Sequence, residues 1–159
     1  QIIIGIVPIT NRFSDFMKKV LFVCTGNYYR SRFAEALFNF HKGDALSDWR
    51  AESRGLMIET APLSISPHTR EAIQRRGIPE DCYSRVPVAL THDDLVAADM
   101  VIALKEEEHR PMMRAKFPSW EHQIRYLEVH DLDVWESGQT LPSIEIQVGL
   151  LIEELREPS

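Results

Sequence analysis

Cysteine is scarce in this chain, with Cys24 and Cys82 the two among 159 residues. Two thiols without C-x-x-C spacing exclude a disulfide framework and a cysteine zinc site, and they fit a reducing, cytoplasmic setting. Long apolar runs are missing as well, none approaching the ~20 residues that a membrane-spanning helix needs. Basic runs are also absent. The formal charge is -6, which argues against nucleic acid or an anionic membrane surface as the partner. The six histidines show no ligand spacing, so neither a metal nor another cofactor is expected. What these absences leave is a chain the size of one ordinary domain, with a core and, at most, a local pocket for a small anion.

Residues 1–16, QIIIGIVPITNRFSDF, hold an apolar run at Ile2–Ile9 but neither a basic leader nor an A-x-A cleavage site, so they do not read as a secretory signal. They read as an upstream or vector-derived extension, with an added strand or interaction segment as the alternative, and 17–159 as the domain. From Lys19 onward short apolar runs alternate with helical patterns. Strands are expected at Val20–Val23, Trp49–Ser53, Met100–Leu104 and Ile124–Val129, the first apolar without alternation as in a strand covered on both faces. Between them, Phe33, Leu37 and Phe40 recur at helical spacing and Gly43 supplies a stop. Ser66-Pro67 starts a helix that ends near Gly77, and Thr91 to Asp94 forms a capping box. A helical stretch around 106–116 should be interrupted or restarted at Pro111. Ile144, Val148, Leu151 and Leu155 share one face of a closing helix. The expectation is α/β: a doubly wound, flavodoxin-like, four-stranded parallel sheet flanked by helices in a single domain.

Ligands in such sheets bind beyond the carboxyl ends of the strands, where Cys24 falls. Placement alone leaves Cys24 open between chemistry and packing, since free cysteine is often buried. Its neighbours decide more. Residues 24–31, Cys-Thr-Gly-Asn-Tyr-Tyr-Arg-Ser, form C-x5-R-S between a strand and a helix. The backbone N–H groups of Thr25, Gly26, Asn27, Tyr28 and Tyr29 can there form an anion-binding nest at a helix N-terminus. Gly26 and Asn27 take positive φ readily. Arg30 adds a planar fork for two oxygens of a phosphate, which lysine could not replace. A thiol at that focus is expected as a thiolate, and Ser31 can donate to its sulfur.

VLFVCTGNYYRSRFAEALF resembles the opening of the low-molecular-weight protein tyrosine phosphatases, whose pattern is V-C-x-G-N-x-C-R-S-P before an A-E-A helix. Glu52-Ser53-Arg54-Gly55 stands where that family has a Ser-Ala-Gly turn, and Ile73–Gly77 and Leu90–Leu104 are similar to later family segments in the same order. The resemblance implies a metal-free phosphomonoester hydrolase, acting on phosphotyrosine proteins in the family, with Cys24 as nucleophile and Arg30 holding the phosphoryl group. It also implies an aspartic acid from a late D-P-Y loop. Here that region reads Val129-His130-Asp131-Leu132-Asp133-Val134-Trp135. Distance from the strand end favours Asp131 as the general acid, and the aromatic anchor would choose Asp133 instead.

Departures from the pattern qualify what the resemblance implies. Tyr29 replaces the second loop cysteine, Arg32 the following proline, and Leu132 and Trp135 the Pro and Tyr of the acid loop. Arg32 is expected as a solvated first-turn residue, and Tyr28 or Trp135 would have to flank a substrate ring. The related thioredoxin-coupled arsenate reductases pass electrons through two further cysteines, of which Cys82 alone is present. A reductase on the same scaffold, or a phosphate-binding module without turnover, is the rival reading.

Overall fold

In the computed structural model, residues 17–128 and 137–157 are described. Strand β1 (Lys18–Cys24) leads into helix α1 (Arg30–His41), followed by β2 (Trp49–Gly55), α2 (Pro67–Arg75), α3 (His92–Ala97), β3 (Met100–Ala103), α4 (Glu106–Lys116), β4 (Arg125–Tyr126) and α5 (Ser137–Arg156). The strands form one sheet in the order β2-β1-β3-β4, and each adjacent pair is parallel. The order reverses beside β1, which places the carboxyl end of β1 at the topological switch point.

The unbroken apolar run of β1 is explained by burial on both faces. Val20, Phe22 and Cys24 pack with Phe33, Leu37, Phe38, Ile73, Ile144 and Val148. Leu21 and Val23 pack with Leu95, Val101, Ala103 and Met113 on the other face. Helices α1, α2 and α5 thus cover one side, and α3 and α4 the other. Removing one such buried leucine or phenylalanine side chain from water stabilises the fold by about 1.5–3 kcal/mol.

Several local expectations hold in detail. Gly43 and Gly77 take φ of 70° and 72° after α1 and α2, the left-handed stop that glycine accepts most easily. Pro67 occupies the first turn of α2. Thr91 and Asp94 make the reciprocal capping box.

Others are corrected. Phe40 is 45% exposed, and Phe38 takes the core position instead, because the buried stripe of α1 follows Ala34 and Phe38 beside Phe33 and Leu37. Helix α4 runs through Pro111 without a break, since the tertiary packing of His109 and Met113, both fully buried, overrides the proline penalty. Strand β2 continues to Gly55, two residues beyond the expected end, because Gly55 pairs with Cys24. Strand β4 is Arg125–Tyr126 alone rather than Ile124–Val129. The N–H of Leu127 still donates to the carbonyl of Ala103 at 2.9 Å.

Candidate active site

The loop between β1 and α1 is fixed by its carbonyl groups. The carbonyl oxygen of Cys24 accepts from Leu56 N–H at 2.9 Å, that of Thr25 from Met57 N–H at 2.7 Å, and that of Tyr28 from Ser66 N–H at 3.0 Å. Each trans peptide plane therefore turns the N–H of Thr25, Gly26 and Tyr29 away from those partners. At the corner stands Asn27 with φ of 50°, the one non-glycine residue of positive φ among the described residues.

Asn27 is held in that strained conformation by its own side chain. It is fully buried, and its Nδ2 donates to Ser31 Oγ at 2.8 Å and to Ser53 Oγ at 2.9 Å. Its Oδ1 accepts from Val88 N–H at 2.9 Å and from Arg85 Nη1 at 3.1 Å. Ser31 Oγ lies 2.9 Å from Cys24 Sγ. Ser31 Oγ accepts from Asn27 and keeps both its own proton and a second lone pair for the sulfur, so Asn27 fixes the hydroxyl beside Cys24 Sγ.

Cys24, Thr25, Gly26, Tyr28, Tyr29 and Arg30 line one pocket of about 350 Å³, with Glu108 at its side and Thr60, Ala61 and Pro62 as the far wall. Arg30 is 6% exposed, and its Nη1 donates to Glu108 Oε2 at 2.5 Å. Burial alone would lower the guanidinium pKa. The hydrogen bond to Glu108 and the charges of Cys24, Tyr29 and Glu108 outweigh it and leave the pKa raised. Burial also acts on Glu108, pushing it up, but the hydrogen bond and charge of Arg30 win and hold the carboxyl below its ordinary range.

Arg32 is not the solvated first-turn residue expected from sequence. It is fully buried and donates to the carbonyl oxygens of Tyr83, at 2.5 Å, and Arg85. Burial and the like charge of Arg85 push its pKa down to about 10. Arg85 in turn pairs with the buried Glu35 at 3.0 Å and donates to Ser53 Oγ at 2.7 Å. Two guanidinium groups thus stand behind the loop.

Of the loop residues expected at the site, Cys24, Thr25, Gly26, Tyr28, Tyr29 and Arg30 line the pocket, whereas Asn27 and Ser31 are fully buried and do not line it. Asp131, Asp133 and Trp135 lie outside the described residues. Sequence reasoning missed Glu108, Arg85, Glu35 and Ser53. For Glu108 a signal existed, since it occupies the first turn of a helix beginning just beyond the carboxyl end of β3. Nothing local in the sequence marks Arg85. Among the described residues no group of three His, Cys, Asp or Glu converges to hold a metal ion, and no helix is long and apolar enough to cross a membrane.

The family model of the low molecular weight phosphotyrosine protein phosphatases matches residues 19–141. This chain belongs to that family. Among curated relatives it is 34% identical to arsenate reductase 1 of Staphylococcus epidermidis, covering 55% of this chain and 59% of the relative. It is 27% identical to the protein-arginine-phosphatase of Bacillus subtilis over 66% of this chain and 67% of the relative. The chain thus spans roughly three fifths to two thirds of the length of these relatives. A solved low molecular weight protein tyrosine phosphatase from T. tengcongensis superposes with a TM-score of 0.67 at 28% identity, covering 87% of this chain and 97% of the other. The family scaffold therefore carries more than one chemistry, and the pocket of this member has to be judged by its own residues.

Proposed function

We propose that the chain is a cysteine-dependent phosphomonoester hydrolase of the protein tyrosine phosphatase type, working in a reducing, cytoplasmic setting. One observation carries this reading: Cys24 Sγ at hydrogen-bond distance from Ser31 Oγ, in the same pocket as Arg30 and the loop backbone.

The sulfur of Cys24 attacks phosphorus in line, the S–P bond forms as the P–O bond to the leaving group breaks, and the product is a cysteinyl-phosphate. The loop N–H groups and Arg30 hold the equatorial oxygens. Asp131 donates its proton to the leaving oxygen, then as carboxylate removes a proton from the water that hydrolyses the S–P bond and returns the thiolate. Ser31 supports the sulfur in both steps, as attacking group and as leaving group. Phosphotyrosine proteins are the proposed substrates, with Tyr28 and Tyr29 against the ring.

Similarity to an arsenate reductase favours a second reading, in which the loop binds arsenate. The 159 residues supply one thiol besides Cys24, which is short of the two further cysteines that the thioredoxin-coupled route employs. A non-catalytic phosphate-binding module would keep the cradle and lack turnover.

Three assays separate these. Hydrolysis of p-nitrophenyl phosphate that is abolished in Cys24→Ser supports the phosphatase. Phosphate binding without hydrolysis supports the module. Arsenate-dependent oxidation of reduced thioredoxin supports the reductase.

A further inference from the structure

The first turn of α4 brings a carboxylate into a pocket otherwise built for an anion. Glu108 Oε2 lies 2.5 Å from Arg30 Nη1 and 3.4 Å from His109 Nε2. His109 is fully buried, and its Nδ1 accepts from Lys105 N–H at 3.0 Å. The neutral ring therefore carries its proton on Nε2, facing Glu108 and, at 3.3 Å, Thr25 Oγ1. The carboxylate is thus pinned between a guanidinium and an imidazole, while its side chain stays 33% exposed at the pocket.

The rest of the lining makes this charge conspicuous. Among the described residues around the pocket, Arg30 is the cationic side chain and Glu108 the carboxylate, beside the sulfur of Cys24. Thr25, Gly26, Tyr28, Tyr29, Thr60, Ala61 and Pro62 are neutral there. When a phosphoryl group binds, the charge of Arg30 is neutralised by its oxygens. On the side of the pocket formed by the described residues, whatever the substrate carries beyond the phosphoryl group then meets neutral walls and the carboxylate of Glu108. Like charges a few ångströms apart in a partly desolvated site repel far more than in bulk water.

We propose that Glu108 is a specificity-determining residue, whose carboxylate makes the pocket discriminate against phosphoryl compounds with a further negative charge on the leaving portion. Compounds whose leaving portion is neutral or cationic are favoured. The proposal rests on the phosphatase reading above. Its mechanism is a difference of affinities created by a repulsive element, since the attractive contacts to the phosphoryl group are common to all the compounds.

The test uses phenyl phosphate with its para-carboxy and para-aminomethyl derivatives. The kcat/KM of each is measured for the wild type, Glu108→Gln and Glu107→Gln. The last removes the same charge from an exposed neighbour on the same helix. Calorimetry of the same compounds on Cys24→Ser and on Cys24→Ser/Glu108→Gln reads affinity without turnover. Expected is a preference for the ammonium over the carboxylate compound of about tenfold in the wild type and Glu107→Gln, shrinking to within about twofold in Glu108→Gln. A preference that survives Glu108→Gln, or is absent from the wild type, overturns the proposal. So does an equal loss of kcat on all three compounds that Glu108→Asp restores, for Glu108 would then position Arg30. Turnover without charge preference defeats this proposal and leaves the phosphatase standing. A charge preference in binding without any turnover supports it and defeats the phosphatase.

Discussion

Nη1 of Arg85 reaches Oδ1 of Asn27 at 3.1 Å, tying a residue far along the chain to the left-handed corner of the loop. The same guanidinium pairs with Glu35 and bonds Ser53, so one side chain joins α1, β2 and the loop. Replacing it strands a buried carboxylate and loosens Asn27. Arg85→Ala is expected to cost about 2 kcal/mol or more, measured by urea unfolding, together with weaker phosphate binding. The cost has a pH signature. Burial holds the pKa of Glu35 above its ordinary value even with Arg85 present, and losing Arg85 raises it further. A raised folded-state pKa means stability present at acid pH and lost as pH rises through that value. The Arg85→Ala deficit should therefore be larger at neutral pH than at pH near the ordinary carboxylate range; an equal deficit at both would count against the ion pair.

Cys24 has no loop partner for a protective disulfide, because Tyr29 stands at the place of the second cysteine. A sulfenic acid formed on Cys24 has no neighbouring thiol in the loop with which to condense, so further oxidation competes with rescue. Peroxide treatment followed by excess dithiothreitol is expected to leave a lasting loss of p-nitrophenyl phosphatase activity that grows with exposure. Mass spectrometry should find dioxidised Cys24 in proportion. Complete recovery after prolonged exposure would refute the idea.

Much of the fold was legible because one physical pattern dominated it. The run Val20–Val23 is apolar on both faces, and both faces prove to be covered. Gly43, Gly77 and the Thr91 box are local devices that act through their own backbone, so sequence alone locates them. Phe40 and Pro111 were misjudged because tertiary packing decided them: α1 turns its core stripe through Phe38, and buried His109 and Met113 carry α4 past its proline. In the loop, residues 24–31 could be grouped because adjacent positions converge by simple curvature. Arg32 and Arg85 could not, since their placement depends on carbonyl groups 51 and 53 residues away and on a side chain 58 residues away.

The general acid can be assigned kinetically. If Asp131 protonates the leaving oxygen, Asp131→Asn should lower kcat for a phosphomonoester with a poor leaving group by roughly 10²–10⁴. It should matter less for p-nitrophenyl phosphate, whose leaving group needs little protonation. Asp133→Asn should stay close to the wild type on both. The reverse pattern would transfer the role to Asp133.

Gly55 ends β2 directly behind the loop, and its missing side chain is a requirement of the site. A Cβ there would stand 2.7 Å from Ile58 Cγ2 and 2.9 Å from Asn27 N. The first neighbour is the end of a flexible side chain and can yield, but the second is loop backbone. That backbone is already committed: Gly55 N–H donates to Val88 O, and Leu90 N–H to Gly55 O, so the glycine cannot retreat either. Gly55→Ala must therefore displace Asn27, whose Nδ2 sets the Ser31 hydroxyl on the Cys24 sulfur. The overpacking itself is expected to cost about 1–3 kcal/mol. Activity should fall by more than folding does, since the displaced residue shapes the cradle. The check is to compare Gly55→Ala with Gly77→Ala: Gly77 has φ of 72° but nothing within 4 Å of the position its Cβ would take. Gly77→Ala should lose stability through backbone strain and keep kcat/KM for p-nitrophenyl phosphate, whereas Gly55→Ala should lose kcat/KM even at temperatures where it is fully folded. Equal kinetic losses in the two variants would show that the close approach of Gly55 to Asn27 has no bearing on the loop's chemistry.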